Sequence, residues 1–329
     1  MPDRISHWAT LEEKGVYAGL RFMLAVYRLF GRWLFVPILY LVIGYFYLSS
    51  PHVRRASRTY LDRVWTAEAG RRSLGRRPDR RMVYRHLLDF GYANLDRLAS
   101  WLGDVTLAQV DYQNHELYEA REGAGQGGVW ITSHLGNVEA CRALSRQRGG
   151  VPLNVLVHTH HAENFNRLLR QANPQTQVKL IQVSEFDMTV AIRLQELVAA
   201  GEFIAIMGDR IPLNDEGRLI WLPFLGRPAP FPIGAFVMAS VLRCPVGLIF
   251  CLREGHRFRI LIEDSIDLST VSRRERQRAV ERAVAHYVSR LEWYCQRYPL
   301  QWYNFFDFWG DKTDRRPPTL AGDRGELLP

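Results

Sequence analysis

Residues 128–139 read Gly128-Val-Trp-Ile-Thr-Ser-His-Leu-Gly-Asn-Val-Glu139, a short apolar run that leads into a polar turn. The β-branched and aromatic residues of the run, with glycines before them, indicate a short buried strand. Helix-compatible residues follow from Val138 to about Gln147, so His134 falls in a strand-to-helix turn. Turns of this kind, at the end of a buried strand, are where α/β folds place binding and catalytic groups.

His134 and Glu139 are the predicted catalytic pair. With His134 in the turn and Glu139 in the first helical turn, the carboxylate can accept a hydrogen bond from one imidazole nitrogen while the other faces a substrate hydroxyl. Gly136 permits the tight bend, Asn137 suits the N-cap, and the helix dipole favours a carboxylate there. Such an imidazole can deprotonate an alcohol at neutral pH. The alternative is a structural His and Glu without a catalytic role.

Apolar runs and helical stretches alternate along the rest of the chain, which predicts an α/β fold with a mostly parallel sheet flanked by helices. Strands are predicted at 155–157, 179–183 and 203–207, and a hairpin at 246–250 and 258–262. Helices are predicted at 163–171, 187–200 and 272–298, and an amphipathic one at 84–102 in which His86 and Asp89 lie on the surface. The predicted division is 1–60 membrane-associated helices, 61–310 catalytic domain and 311–329 flexible tail.

The N-terminal segment predicts association with a membrane. Residues 17–47 are apolar and aromatic apart from Arg21, Arg28 and Arg32, and residues 33–50 carry no charge. A helix over 33–50 spans roughly 27 Å, slightly less than the hydrocarbon thickness of a bilayer. Its aromatic residues are typical of a membrane interface. A spanning or re-entrant anchor and a helix pair lying on the membrane both remain open, and a buried core helix is the alternative.

Charge and composition limit the partners. The formal net charge is +9, and arginines cluster between residues 54 and 85. No helix-turn-helix, zinc or aromatic RNA-binding pattern accompanies them, so an anionic membrane or an acidic carrier protein is predicted, and nucleic acid is not. The four cysteines lack metal or redox spacing and are predicted to be reduced, buried thiols. His158, His160 and His161 lack an acidic partner at ligand spacing; we therefore predict no metal or cofactor, and a substrate-facing role for His158.

Two further stretches carry candidate binding residues. Gly208, Asp209 and Arg210 follow the strand at 203–207, at the edge where parallel sheets bind ligands, so Asp209 and Arg210 are predicted to bind substrate. A turn cap and a structural ion pair are the alternatives. Residues 222–234 form a predicted proline-aromatic loop before a helix of small residues, whose N-terminus, with Arg227, could bind an anion. A plain turn is the alternative.

Residues Ser133-His-Leu-Gly-Asn-Val-Glu139 resemble the His-x4-Asp/Glu block of glycerolipid acyltransferases, in the form found in the bacterial lipid A lauroyl/myristoyl acyltransferase family. Gly208-Asp209, Leu222-Pro-Phe-Leu-Gly226 with Gly234, and Pro299-Leu-Gln-Trp302 follow in the family's order. The resemblance extends from the N-terminal apolar segment to about Trp309.

This resemblance implies a bacterial inner-membrane enzyme that faces the cytoplasm and needs no cofactor. The donor would be an acyl carrier protein or acyl-CoA thioester, and the acceptor a hydroxyl of a glycolipid or related lipid. His134 and Glu139 match the family's base and orienting acid, and Asp209 matches the acid of its second block. Backbone N–H groups near Gly136, or Arg210, would hold the oxyanion, and Gly136 and Asn137 would line the substrate site.

Departures from the family pattern point to a branch that does not act on lipid A. Arg210 stands where lipid A members carry glutamine, and Pro299-Leu-Gln-Trp302 replaces the usual Pro-Glu-Gln-x-x-Trp ending. The chain looks more like the branch tied to aryl-polyene pigments and other glycolipids. Two other functions remain open: a thioesterase that uses the same pair on water, and a non-catalytic membrane protein that binds lipid or carrier.

Overall fold

The computed structural model describes residues 16–138, 140–141, 153–157, 180–182, 188–211 and 219–310. The helices are α1 Val16–Ser49, α2 Pro51–Thr66, α3 Glu68–Leu74, α4 Arg80–Leu102, α5 His115–Gly123, α6 Met188–Ala199, α7 Gly234–Leu242 and α8 Arg276–Arg297. The strands are β1 Val110–Gln113, β2 Gly128–Thr132, β3 Leu153–Val157, β4 Leu180–Gln182, β5 Phe203–Met207, β6 Leu219–Phe224, β7 Arg227–Pro232, β8 Val246–Glu254 and β9 Arg257–Asp264.

Seven of these strands form one sheet in the order β1-β9-β8-β2-β5-β3-β4. All neighbours in it are parallel except β8 and β9, which form the predicted antiparallel hairpin. Helices flank the sheet, so the predicted α/β fold with a mostly parallel sheet is confirmed. Every residue of β2 is buried, as its uninterrupted apolar sequence predicts for a central parallel strand.

The register of β2 against β5 positions the candidate site. Thr132, the last residue of β2, pairs with Met207, the last residue of β5. His134 and Asp209 therefore each lie two residues beyond the end of neighbouring parallel strands, at the same edge of the sheet. The N–H of Gly208 continues this pairing and donates to the carbonyl of Thr132 at 2.9 Å.

Several predicted helices are confirmed, although parts of others lie outside the described residues. The helices predicted at 84–102, 187–200 and 272–298 correspond to α4, α6 and α8. The helix after the opening motif begins at Val138, and Oδ1 of Asn137 accepts the N–H of Ala140 at 3.1 Å, which confirms the predicted N-cap. The helix predicted at 163–171 and the tail 311–329 lie outside the described residues.

The predicted loop at 222–234 is wrong, because most of it forms the two-stranded hairpin of β6 and β7. Prolines argue against a strand, since they cannot donate to a ladder. Here they occupy alternate positions of β7 (228, 230 and 232), so the missing N–H groups all fall on one side of a two-stranded ribbon. Leu225 and Gly226, at φ 50° and 80°, make the turn. The predicted helix of small residues follows as α7.

The N-terminal helix α1 packs lengthwise on α4. It is interrupted at Gly31 (φ 67°, ψ −166°) and buries Phe35, Leu39 and Ile43. The approach is close, because a Cβ at Gly91 of α4 would lie 2.8 Å from Leu39 Cδ1. No single helix in the described part of the chain is long and apolar enough to cross a membrane; residues 35–49 and 51–66 pass that test only together, with a 94° bend between them. Membrane association stays a prediction.

Candidate active site

His134 and Asp209 form a hydrogen-bonded pair at the sheet edge. Nδ1 of His134 lies 2.8 Å from Oδ1 of Asp209, and the backbone N–H of His134 donates to Oδ2 at 2.9 Å. The His134 side chain is 18% exposed, and that of Asp209 is fully buried. No residue within the described ranges bonds Nε2 of His134, and the ring lines a cleft. Asp209 therefore fixes the orientation of the imidazole and leaves Nε2 as the reactive nitrogen.

Asp209 is held as a carboxylate by a set of donors. Besides His134, the indole N–H of Trp302 and the amide N–H of Asn304 both donate to Oδ2 at 3.0 Å. Burial works to raise the pKa of Asp209, but its interactions with His134 and the charge of Arg210 outweigh burial, so the pKa lies below 3.8. An ionised Asp209 requires the proton of neutral His134 to reside on Nδ1.

The pKa of His134 is displaced in the direction that a general base requires. Burial lowers it, the nearby charge of Arg210 lowers it further, and Asp209 offsets part of the change, so that the pKa lies below 6.5. The imidazole is therefore neutral at pH 7, with its lone pair on Nε2. A neutral imidazole whose tautomer is fixed by a carboxylate can accept a proton from a hydroxyl group.

The C-terminal segment 301–304 closes the turn that carries His134. Leu135 and Trp302 form an antiparallel bridge, and Tyr303 donates its N–H to the His134 carbonyl at 3.0 Å. The N–H of Gly136 donates to the Gln301 carbonyl at 2.8 Å. The N–H groups of Gly136 and Asn137 both donate within the protein, so neither supports the predicted oxyanion contact of backbone N–H groups near Gly136.

Gly136 has a structural reason to be glycine. Its φ is 76°, and a Cβ at this position would lie 2.0 Å from the carbonyl oxygen of Cys251. The next N–H, that of Asn137, donates to the same carbonyl oxygen at 2.7 Å. The turn thus approaches β8 so closely that only glycine fits.

Arg210 faces the same cleft as His134. Its Nε donates to Oδ1 of Asn304 at 2.7 Å and its Nη2 to the Tyr303 carbonyl at 3.1 Å. Burial lowers the pKa of Arg210 to about 10 and the charge of Asp209 opposes this, so Arg210 remains a cation at neutral pH. Asn304 links this guanidinium to the carboxylate of Asp209, which fixes both charged groups relative to His134.

One face of α4 forms a wall of the cleft. Phe90, Ala93, Asn94 and Arg97 lie at helical spacing along that wall, and the volume of the cleft is about 100 Å³. The side-chain amide of Asn137 donates to the Ala93 carbonyl at 2.8 Å and joins the wall to the turn that carries His134. Both the N–H and the oxygen of the Asn137 amide are bonded to the protein. Asn137 therefore has a structural role in place of the predicted contact with substrate.

The structure brings together five of the predicted site residues: His134, Gly136, Asn137, Asp209 and Arg210. Asp209 does not bind substrate as predicted, because it is fully buried under four protein donors; it positions His134 instead. Glu139 and His158 lie outside the described residues.

Arg227, by contrast, is exposed at the first position of β7, and within the described ranges it does not line the cleft. Its charge lowers the pKa of Arg63, after the larger effect of burial. The predicted substrate contact of Arg227 therefore has no support in the cleft.

Sequence reasoning missed the residues that support the pair. Trp302, Tyr303 and Asn304 all contact His134, Asp209 or Arg210, and the available signal was a polar Asn304 inside an aromatic run after α8. The surface prediction is wrong for His86, whereas the Asp89 side chain is partly exposed, at 16%. His86 is 1% exposed and bonds Ser57 and the Trp302 carbonyl, and Asp89 bonds Arg253 and Tyr303.

Comparison with known proteins does not assign the chain to a family. None of the protein-family models matches the chain, and the search of curated proteins finds no significant match. The resemblance to acyltransferases therefore rests on the motif residues of the sequence alone.

Proposed function

We propose that the protein transfers an acyl group from a thioester to a hydroxyl acceptor, with His134 as the general base. The observation that carries the proposal is the bond between Nδ1 of His134 and buried, ionised Asp209, which leaves Nε2 at the cleft. The proposed donor is an acyl carrier protein or acyl-CoA thioester, and the proposed acceptor is a glycolipid or related lipid, as the motif resemblance implies.

In the proposed reaction, Nε2 of His134 takes the proton of the acceptor hydroxyl as its oxygen attacks the thioester carbonyl. A carbon–oxygen bond forms, and Asp209 stabilises the transient imidazolium. The tetrahedral intermediate then collapses with cleavage of the carbon–sulfur bond. The thiolate leaves with the proton from Nε2, which restores neutral His134. A thioester is already activated, so no covalent enzyme intermediate is needed.

Arg210 is the proposed electrostatic partner of the oxyanion. Its guanidinium is cationic at neutral pH, borders the cleft and is fixed by Asn304 and the Tyr303 carbonyl. A fixed positive charge beside the cleft favours a transition state in which negative charge develops on the carbonyl oxygen. The same charge keeps His134 unprotonated, so Arg210 supports both the base and the oxyanion.

The test uses the purified full chain, lauroyl-CoA as donor and octyl glucoside as a hydroxyl-bearing acceptor, with products separated by mass spectrometry. We expect acylated octyl glucoside, and a loss of roughly 10²–10⁴-fold in rate for His134→Ala, the range for general-base catalysis. The control is His115→Ala, whose side chain is 45% exposed on α5, away from the cleft. It should keep the full rate.

Three outcomes would overturn the proposal. Unchanged turnover in His134→Ala would remove the assigned base. Free laurate as the only product, with or without octyl glucoside, would show a hydrolase. Binding of lauroyl-CoA without turnover in the unmutated protein, unaffected by His134→Ala, would show a non-catalytic binding protein.

A further inference from the structure

Large apolar side chains are exposed mainly on α1. Among the residues whose burial the structure describes, the exposed ones on this helix are Leu29, Trp33, Tyr40, Leu41, Val42, Tyr45, Phe46 and Leu48. Elsewhere such side chains are single and scattered over different elements, as Ile192 and Val241 are. An apolar surface of this extent on one element marks an interaction site.

The second half of α1 has two opposite apolar faces. Phe35, Leu39 and Ile43 point to the protein and are almost fully buried, as their helical spacing requires. Leu41, Tyr45 and Leu48 project from the other side of the helix, and Leu41 and Leu48 are 75% and 76% exposed. We call these three residues, together with Trp33, the outer face of α1. The protein core thus covers only half of an apolar helix.

Arginine-rich segments follow the C-terminal end of α1 in the chain. Arg54 donates from Nη1 to the Leu48 carbonyl at 2.8 Å, and the hydroxyl of Tyr84 donates to the Tyr40 carbonyl at 3.2 Å. These bonds hold α2 and the first turns of α4 against the end of α1. Exposed arginines of these segments and of the α3 region are Arg55, Arg71, Arg72, Arg76, Arg77, Arg80, Arg81 and Arg85.

We propose that the outer face of α1 lies in the surface of an anionic lipid bilayer, with the helix axis close to the membrane plane. Aromatic and aliphatic side chains on a helix that leads into arginine-rich segments match the boundary between acyl chains and anionic headgroups. The occupant of the outer face is therefore a lipid surface, and the arginines contact its phosphates.

The packing of α1 excludes a spanning orientation. Its buried face lies along α4, whose Asp89 and Asp96 pair with Arg253. A spanning α1 would carry this charged helix into the hydrocarbon, at high cost. The part of α1 beyond its break at Gly31, residues 32–49, is about 27 Å long, whereas the hydrocarbon is about 30 Å thick.

This orientation also brings the cleft near the lipid. Phe90, which is 39% exposed, lines the His134 cleft, and the next residue, Gly91, contacts α1. Only the width of α4 therefore separates the cleft from the helix that rests on the membrane. The membrane surface is inferred from exposure, packing and charge alone and does not depend on turnover.

The binding test is flotation of the full chain with vesicles of 70% phosphatidylcholine and 30% phosphatidylglycerol. The variant Leu41→Glu with Leu48→Glu should bind at least tenfold more weakly, because two charges enter the outer face. The control Ile192→Glu with Val241→Glu adds the same charge at exposed positions of α6 and α7 and should bind like the unmutated protein. Raising the NaCl concentration to 0.5 M should weaken binding of the unmutated protein.

Equal binding by Leu41→Glu with Leu48→Glu and its control would overturn the proposal. A lipid-free dimer of the unmutated protein that this double variant converts to a monomer would also overturn it, since a second copy would then cover the outer face. Both double variants should still acylate octyl glucoside, because neither changes a cleft residue, so failure of this inference and failure of the proposed function are distinguishable.

The orientation test places a fluorophore on single cysteines introduced by Trp33→Cys, Leu41→Cys and Leu48→Cys. The native cysteines are all buried, so the label reacts at the introduced site. In an in-plane helix, nitroxides near the headgroups quench all three labels to a similar extent and more strongly than nitroxides at the bilayer centre. A deep label at position 41, with one end reached by a quencher trapped inside the vesicle, would show a spanning helix and overturn the proposal.

Discussion

The indole N–H of Trp302 donates to Oδ2 of Asp209 at 3.0 Å across 93 residues of sequence. This bond joins the C-terminal segment to a pair whose base follows β2 and whose acid follows β5. The orientation of His134 therefore depends on three distant parts of the chain. Substitutions in any of them should affect the reaction through the same carboxylate.

Asp209→Asn should abolish most of the activity without loss of fold. Three N–H groups donate to Oδ2 of Asp209, so the amide oxygen of asparagine takes that position and its NH2 group faces Nδ1 of His134. The NH2 group donates to Nδ1, so the tautomer with a free Nε2 lone pair is lost; in Ser-His-Asp enzymes the same exchange costs about 10⁴-fold. The control is Asp89→Asn, which removes a carboxylate bonded to Tyr303 and Arg253 without touching His134. Initial rates of lauroyl transfer and circular dichroism check both variants. Asp209→Asn with the rate of the Asp89 control would contradict the assigned role.

Arg210→Gln should move the acidic limb of the pH–rate profile. In the proposed reaction His134 is the neutral base, so kcat/KM should fall as pH falls through the pKa of His134, which burial and Arg210 hold below 6.5. Loss of the guanidinium charge raises that pKa, and the limb therefore shifts to higher pH. Arg97→Gln removes another cation that lines the same cleft, whereas the charges that shift the pKa of His134 in the described part of the chain are those of Arg210 and Asp209, so its limb should move less than that of Arg210→Gln. Coincident profiles for Arg210→Gln and the unmutated protein would exclude this electrostatic coupling.

Gly136→Ala should destabilise the protein far more than a matched glycine substitution. The new Cβ would lie 2.0 Å from the Cys251 carbonyl oxygen at φ 76°, so we expect a loss of about 3–5 kcal/mol in the free energy of unfolding. Gly125→Ala has a similar φ of 61° but nothing within 4 Å, and should cost about 1–2 kcal/mol. Urea denaturation measures both. Equal losses would show that the turn does not approach β8 so closely.

His86→Gln should flatten the acid side of the stability profile. Burial lowers the pKa of His86 to about 4, against the opposing effect of its bond to the Trp302 carbonyl. The unfolded chain binds the proton near pH 6.5 and the folded protein does not, so the free energy of unfolding falls by up to ~3 kcal/mol as pH falls from 6.5 to 4. The glutamine side chain of this variant can still donate to the Trp302 carbonyl but cannot titrate.

Urea denaturation at pH 7.5 and 4.5 should thus show a smaller difference for His86→Gln than for the unmutated protein. His115→Gln, an exposed control, should keep the full difference. The same difference in all three proteins would contradict the burial of neutral His86.

The sheet is largely predictable because its strands are local apolar runs. The runs at 203–207 and 246–250 predict β5 and the start of β8, since buried parallel strands are apolar throughout. The β6–β7 hairpin is not predictable in this way. Its three prolines count against a strand, because proline fits only where its missing N–H faces away from a partner strand, and the sequence does not show that β7 has a single partner.

The candidate site was predictable only in part, because its contacts join residues that are far apart in the sequence. The local pattern predicts that His134 and Asp209 both follow strands, but not that β2 and β5 are neighbours in register. Glu139 is the carboxylate nearest in sequence, whereas the contact that holds Nδ1 comes from Asp209. The return of 301–304 along the His134 turn depends on backbone bonds that no side-chain pattern encodes.

The central claim is that His134 and Asp209 act as one catalytic unit, and a double-mutant cycle on the acyl-transfer rate tests it most directly. Initial rates of lauroyl transfer to octyl glucoside are compared for His134→Ala, Asp209→Asn and the combined variant. We expect the combined variant to be no slower than His134→Ala alone, because a carboxylate that only positions an absent imidazole has nothing left to contribute. Fully additive losses in the combined variant would contradict the account.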